Sequence, residues 1–100
     1  SRIIKLRSAE VDGDELVLDV KMSNKFPKCE VMINGVTLGD FTVEGGKVRV
    51  PADKLKESGK YNAIEVMAKN NDGSYSVIQS RRGQNGSSAI DAAYIFYMSK

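Results

Sequence analysis

Apolar and polar residues alternate along most of this chain in short runs. Glu15 to Met22 is the cleanest: Leu16, Leu18, Val20 and Met22 fall on one face, and Glu15, Asp19 and Lys21 on the other. A period of two predicts a strand with one face buried. Ile3 to Arg7 predicts a first strand, with Ile4 and Leu6 inward, and Asp12-Gly13-Asp14 a turn after it. Cys29 to Ile33 follows, then Asn34-Gly35, a strong two-residue hairpin signal. Val36 to Leu38 returns and Gly39-Asp40 turns again. Phe41 to Val43 and Lys47 to Val50 are expected to pair across Glu44-Gly45-Gly46.

Pro51 to Ser58 breaks the alternation. Pro51 suits the opening of a helical turn, Leu55 can pack inward, and Gly59 can end the turn in the left-handed conformation, so one short helical or 3₁₀ turn is expected near 52–58. Tyr61 to Lys69 is a strand and Asn70-Asn71-Asp72-Gly73 its turn. Ser74 to Arg81 predicts the returning strand. Gly83 to Ser88, GQNGSS, has the composition of a flexible connection. Ala89 to Met98 is apolar on both faces, with Tyr94 and Phe96 on one and Tyr97 on the other. Turn signals recurring roughly every 8–12 residues suit a sandwich or barrel.

The stretch Glu57-Ser58-Gly59-Lys60-Tyr61 adds a more specific signal. A Tyr just past a strand corner can fold back and hydrogen-bond the preceding backbone, as in the tyrosine corner of Greek-key sandwiches. Gly59 lets the chain turn tightly in front of it. Together with Asn34-Gly35, the Val48/Val50 alternation and Asn71-Asp72-Gly73-Ser74, this stretch resembles the second half of an immunoglobulin-like domain of the I-set type. The resemblance covers about half the chain. Ala63 stands where the family has its second Cys, no Cys lies in Glu15–Met22, and Val31 or Met32 replaces the core Trp. A bulge near Ala63–Ile64 is expected, because Tyr61 and Ala63 fit one alternation while Ile64, Val66 and Ala68 fit the other. The fold class implied is an all-β, immunoglobulin-like Greek-key sandwich of seven or eight strands, with a fibronectin type III arrangement as the variant sharing the corner.

The expected organisation is a sandwich over 1–82, a loop at 83–88 and an additional C-terminal strand at 89–100. That strand docks on its own domain or on a partner by strand addition. Structural roles fall to Tyr61 and Gly59 at the corner and to Leu18, Val20, Val31, Val50 and Val66 in the core. Tyr94, Phe96 and Tyr97 are the candidate interaction residues.

Composition narrows the chemistry. The 100 residues are 41% hydrophobic and 28% charged, enough apolar material for one core. No apolar run approaches the ~20 residues of a membrane span. The net charge of +2 gives no footprint for nucleic acid, although Lys25, Lys28, Arg81 and Arg82 flank loops. There is no His, the commonest general base, and the single Cys29 therefore has no imidazole to activate it. Cys29 reads as a small core residue. The carboxylate pairs Asp12/Asp14 and Asp40/Glu44 belong to turns, and Asp12-Gly13-Asp14-Glu15 lacks the full loop signature of a calcium site.

No cofactor, metal or catalytic residue is expected. The expectation is a non-enzymatic interaction module with other protein subunits or surface glycans as partners, Tyr75, Tyr94 and Tyr97 being able to stack on sugar rings. By family resemblance its setting is a bacteriophage virion, as a capsid or tail decoration. The alternative is an accessory module of a carbohydrate-active or cell-surface bacterial protein. Either setting is extracellular.

Overall fold

The computed structural model describes residues 4–22, 26–56, 59–72 and 92–97. Seven strands run through them: β1 Ile4–Asp12, β2 Glu15–Met22, β3 Lys28–Ile33, β4 Val36–Thr42, β5 Lys47–Pro51, β6 Tyr61–Lys69 and β7 Ala92–Tyr97. They form two antiparallel sheets, β1-β2-β5 and β4-β3-β6-β7, packed as the expected β-sandwich. The inward faces carry Ile4, Leu6, Leu16, Leu18, Val20, Val48 and Val50 from one sheet. Cys29, Val31, Ile33, Ile64, Val66 and Ala68 come from the other. Burying each large aliphatic side chain contributes about 1.5–3 kcal/mol.

Several local expectations change. Gly39-Asp40 does not end β4. Val31 pairs with Gly39 and Met32 with Thr37, so Leu38 is an extra residue absorbed as a bulge. Phe41–Val43 and Lys47–Val50 do not form a hairpin. β4 lies beside β3, β5 lies beside β2, and only the Glu44–Lys47 bridge, with reciprocal 2.9 Å hydrogen bonds, joins them. The chain therefore crosses between sheets at Gly45-Gly46, both at positive φ, and the Gly46 carbonyl accepts from the Val20 amide at 2.9 Å.

No helix occurs among the described residues. Pro51 is the last residue of β5, opposite Glu15, and needs no outward donor there. After it a single turn closes, with the Leu55 amide donating to the Ala52 carbonyl at 3.1 Å. One such bond is not propagated. Leu55 packs against the core from this turn.

β6 is unbroken. Asn62, Ile64, Val66 and Ala68 all face inward, and the pairing with β3 and β7 runs without a register shift. The expected bulge is not there, because the alternation extends back to Asn62 and leaves Tyr61 outside. β7 pairs with β6 inside the same sheet, and β1 approaches it from the facing sheet. The fourth strand sits beside the third. In immunoglobulin constant domains it sits beside the fifth, so this strand order departs from that arrangement. The expected strand at Ser74–Arg81 and the connection at Gly83–Ser88 lie outside the described residues.

Candidate functional site: the two ends of the sandwich

At one end β3 turns into β4, β5 leads to β6, and β7 finishes. Asn34 and Gly35 both have positive φ, 52° and 81°, as a type I′ hairpin turn requires. Asn tolerates that conformation better than most residues. Its side chain then reaches across to β6. Asn34 Oδ1 accepts from the Ala63 amide at 2.9 Å, and Asn34 Nδ2 donates to Asn62 Oδ1 at 2.8 Å. Asn62 Oδ1 also accepts from the Lys56 amide at 2.7 Å. Asn62 is fully buried, and its Nδ2 has no hydrogen-bond partner among the described residues. One amide group thus ties three segments together: the β3–β4 turn, the turn before β6, and β6 itself.

Tyr61, the expected corner residue, is 64% exposed, while Asn62 takes the buried polar position at the mouth of β6. Gly59, at φ 86°, supplies the left-handed residue ahead of it. Sequence reading passed over Asn62 because Asn reads as a turn residue. Counting back in twos from Ala68 through Val66 and Ile64 lands on it.

At the opposite end, an open hollow of about 660 Å³ lies between the β2–β3 and β4–β5 connections and the exit of β6. Val20, Met22, Phe26, Pro27, Val43, Gly45, Gly46 and Asn71 line it. Its lining has no charged side chain among the described residues. In sandwiches of this kind, loops gathered at one end are the usual binding surface.

The charged groups are engaged elsewhere. On the outer face of β1-β2-β5, Asp19 pairs with Arg7 at 3.0 Å and Lys47 at 3.7 Å, and Arg49 pairs with Asp12 at 3.5 Å and Glu15 at 3.3 Å. The Arg7 hydrogen bond, reinforced by the two nearby positive charges, holds the Asp19 carboxyl below its usual pKa. On the other sheet Lys69 bridges Glu30 and Asp40, both at 3.0 Å. Its side chain is only 12% exposed. Burial disfavours the ammonium, but the hydrogen bonds to Glu30 and Asp40 outweigh it and raise the Lys69 pKa. The carboxylates of Asp12 and Asp40 are thus spoken for by cations. No group of three or more potential metal ligands occurs among the described residues.

The remaining singled-out residues are readily placed. Leu18, Val20, Val31, Val50 and Val66 are buried, as is Cys29. Phe96 is half-buried and packs against this chain's own core. In the β6–β7 register Tyr97 lies opposite Tyr61 and Tyr94 opposite Ile64. Tyr75, Lys25, Arg81 and Arg82 lie outside the described residues. No helix among the described residues is long and apolar enough to cross a membrane.

No protein-family model matches the chain, and neither does any curated protein. Solved structures do share its fold. The fibronectin(III)-like modules of CbhA from Clostridium thermocellum superpose with a TM-score of 0.53 at 13% identity, covering 96% of this chain and 95% of that one. The spore cortex lytic enzyme SleM of Clostridium perfringens superposes with a TM-score of 0.56 at 12% identity. That match covers 97% of this chain and only 27% of SleM. The protein has the β-sandwich fold of a fibronectin(III)-like module.

Proposed function

We propose that the chain is a non-catalytic interaction module acting outside the cytoplasm as an accessory part of a larger assembly or protein. The observation carrying this reading is the division of labour in the sandwich. Ion pairs lie on the sheet faces, while one loop end keeps a largely apolar hollow with no charged side chain among its described lining residues. A hollow of that chemistry suits an apolar side chain presented by a protein surface. The likeness to a whole fibronectin(III)-like module supports the modular part of the reading. The virion setting rests on the family resemblance alone, and no structural feature adds to it.

The test pairs a broad hydrolase panel with amide-shift mapping of any partner titrated into the labelled chain. The expected result is no turnover, and shifts centred on Met22, Phe26 and Val43. Turnover abolished by a single carboxylate substitution would overturn the non-catalytic reading. Shifts centred on the outer face of β1-β2-β5 would overturn the loop-end reading.

A second reading has one observation in its favour. Tyr61 is exposed at the mouth of β6, and an exposed Tyr ring is suited to stacking on a sugar ring. Calorimetric titration with soluble glycans tests it. Heat of binding that disappears in Tyr61→Ala supports a glycan platform; its persistence in that variant removes it.

A further inference from the structure

We propose that Asn34 is a guarded deamidation site, held inert by the Asn62 clamp and released when this end of the sandwich opens. Asn followed by Gly is the pair most prone to spontaneous deamidation, since Gly puts no side chain in the way of its own backbone nitrogen. In the reaction the Gly35 nitrogen attacks Asn34 Cγ and loses its proton. The new C–N bond closes a succinimide while the Cγ–Nδ2 bond breaks and ammonia leaves. Water then opens the ring at either carbonyl, giving Asp or isoaspartate. Water is the only co-reactant.

The native geometry opposes the first step. Both ends of the Asn34 carboxamide are held toward β6, Oδ1 by the Ala63 amide and Nδ2 by Asn62 Oδ1. The Asn34 amide is itself fixed to the Ala63 carbonyl at 2.8 Å. The carboxamide must leave both side-chain partners before it can swing onto the Gly35 nitrogen. Two bonds of this kind correspond to a slowing of roughly tenfold or more, because reaction waits on local opening.

The product cannot rebuild the clamp as it was. An Asp at position 34 has no amide hydrogen to offer Asn62 Oδ1 and faces it with a second acceptor. If Asn62 turned its amide over, its unpartnered Nδ2 would meet the new carboxylate, but Oδ1 would then leave the Lys56 amide. Isoaspartate would add a methylene to the backbone of a two-residue turn. Conversion therefore records, irreversibly, that the clamp has opened.

Peptide mapping by mass spectrometry tests this on the full chain at mildly alkaline pH. It compares native chain, chain in denaturant, Asn62→Ala and Asn62→Asp, with calorimetry to establish folding. In denaturant Asn34 should convert at the rate of Asn85, which also precedes a Gly. In the native chain Asn34 should convert roughly tenfold slower or more, Asn62→Ala, which removes one of the two side-chain bonds, should speed it by about threefold, and Asn62→Asp, which keeps the acceptor oxygens, should remain slow. Equal native and denatured rates would overturn the proposal. So would a folded Asn62→Ala that stays slow, or folded Ala and Asp variants that are equally fast. Should Asn62→Ala not fold, native chain in subdenaturing urea decides. A rate climbing well before global unfolding supports local opening; a rate that rises only with global unfolding refutes the clamp as guard.

Discussion

The Asn34–Asn62 contact makes a quantitative prediction through a double-mutant cycle. Asn62→Ala deletes an acceptor of two hydrogen bonds, from Asn34 Nδ2 and the Lys56 amide. At about 1 kcal/mol each that is a loss of about 2 kcal/mol, with a small cavity added and the unpartnered Nδ2 relieved in the other direction. Asn34→Gly removes the partner without adding left-handed strain, since Gly accepts positive φ freely. It too loses two hydrogen bonds, for about 2 kcal/mol. The bond between the two side chains is counted in both single variants but is lost only once in the double. The double variant should therefore be destabilised by about 3 kcal/mol, leaving a coupling of about 1 kcal/mol. Urea unfolding of the four chains reads this out, and each single change should lower the melting temperature by about 8–16 °C for a domain of this size. A coupling below roughly 0.3 kcal/mol would show that the two amides act independently and that the clamp carries no energy of its own.

Three further outcomes follow from the packing. Tyr61→Ala should cost less stability than Asn62→Ala, because Tyr61 is mostly exposed; the reverse order in melting temperatures would make Tyr61 the residue that holds the corner. Cys29→Ser should destabilise by about 1–3 kcal/mol by placing a hydroxyl in the core, and native Cys29 should resist a thiol reagent that labels it rapidly in denaturant. The Lys69 pKa is raised on folding, so its contribution is fully present below the ordinary lysine value of about 10.4 and fades as pH climbs through the higher folded value. Melting curves taken on that alkaline limb should fall more steeply for the wild type than for Lys69→Met.

The strands were legible where alternation was clean. Leu16-Leu18-Val20 and Ile64-Val66-Ala68 predict their inward faces without help, and the structure buries them all. What alternation does not encode is which sheet a strand joins. β4 and β5 look like a hairpin because Gly45-Gly46 supplies a tight turn. The structure uses that turn to cross the sandwich instead, since Val48 and Val50 pack beside Leu16 and Leu18. Gly39 reads as punctuation but serves a bulge within β4. The corner was legible as a place, since Gly59 announced it, but Tyr61 drew attention from the buried Asn62 beside it. The apolar hollow was not legible at all, because Val20, Phe26 and Val43 meet only once the loops have been brought together.

The crossing at Gly45-Gly46 also bears on how fast the chain finds its fold. Had β4 and β5 paired as neighbours, each sheet would have grown from local hairpins. Instead Leu16 must find Val50, and Ile33 must find Ile64, across long intervening stretches. Among the described strands, only β1–β2 and β3–β4 are local pairings. Chain entropy has to be surrendered before either central pairing is rewarded, so folding should sit in the range of about milliseconds to seconds typical of all-β domains. During that interval β2 and β3 wait with one edge unpaired. Lys21 and Lys28, near their ends, then act as the charges that discourage pairing with another chain.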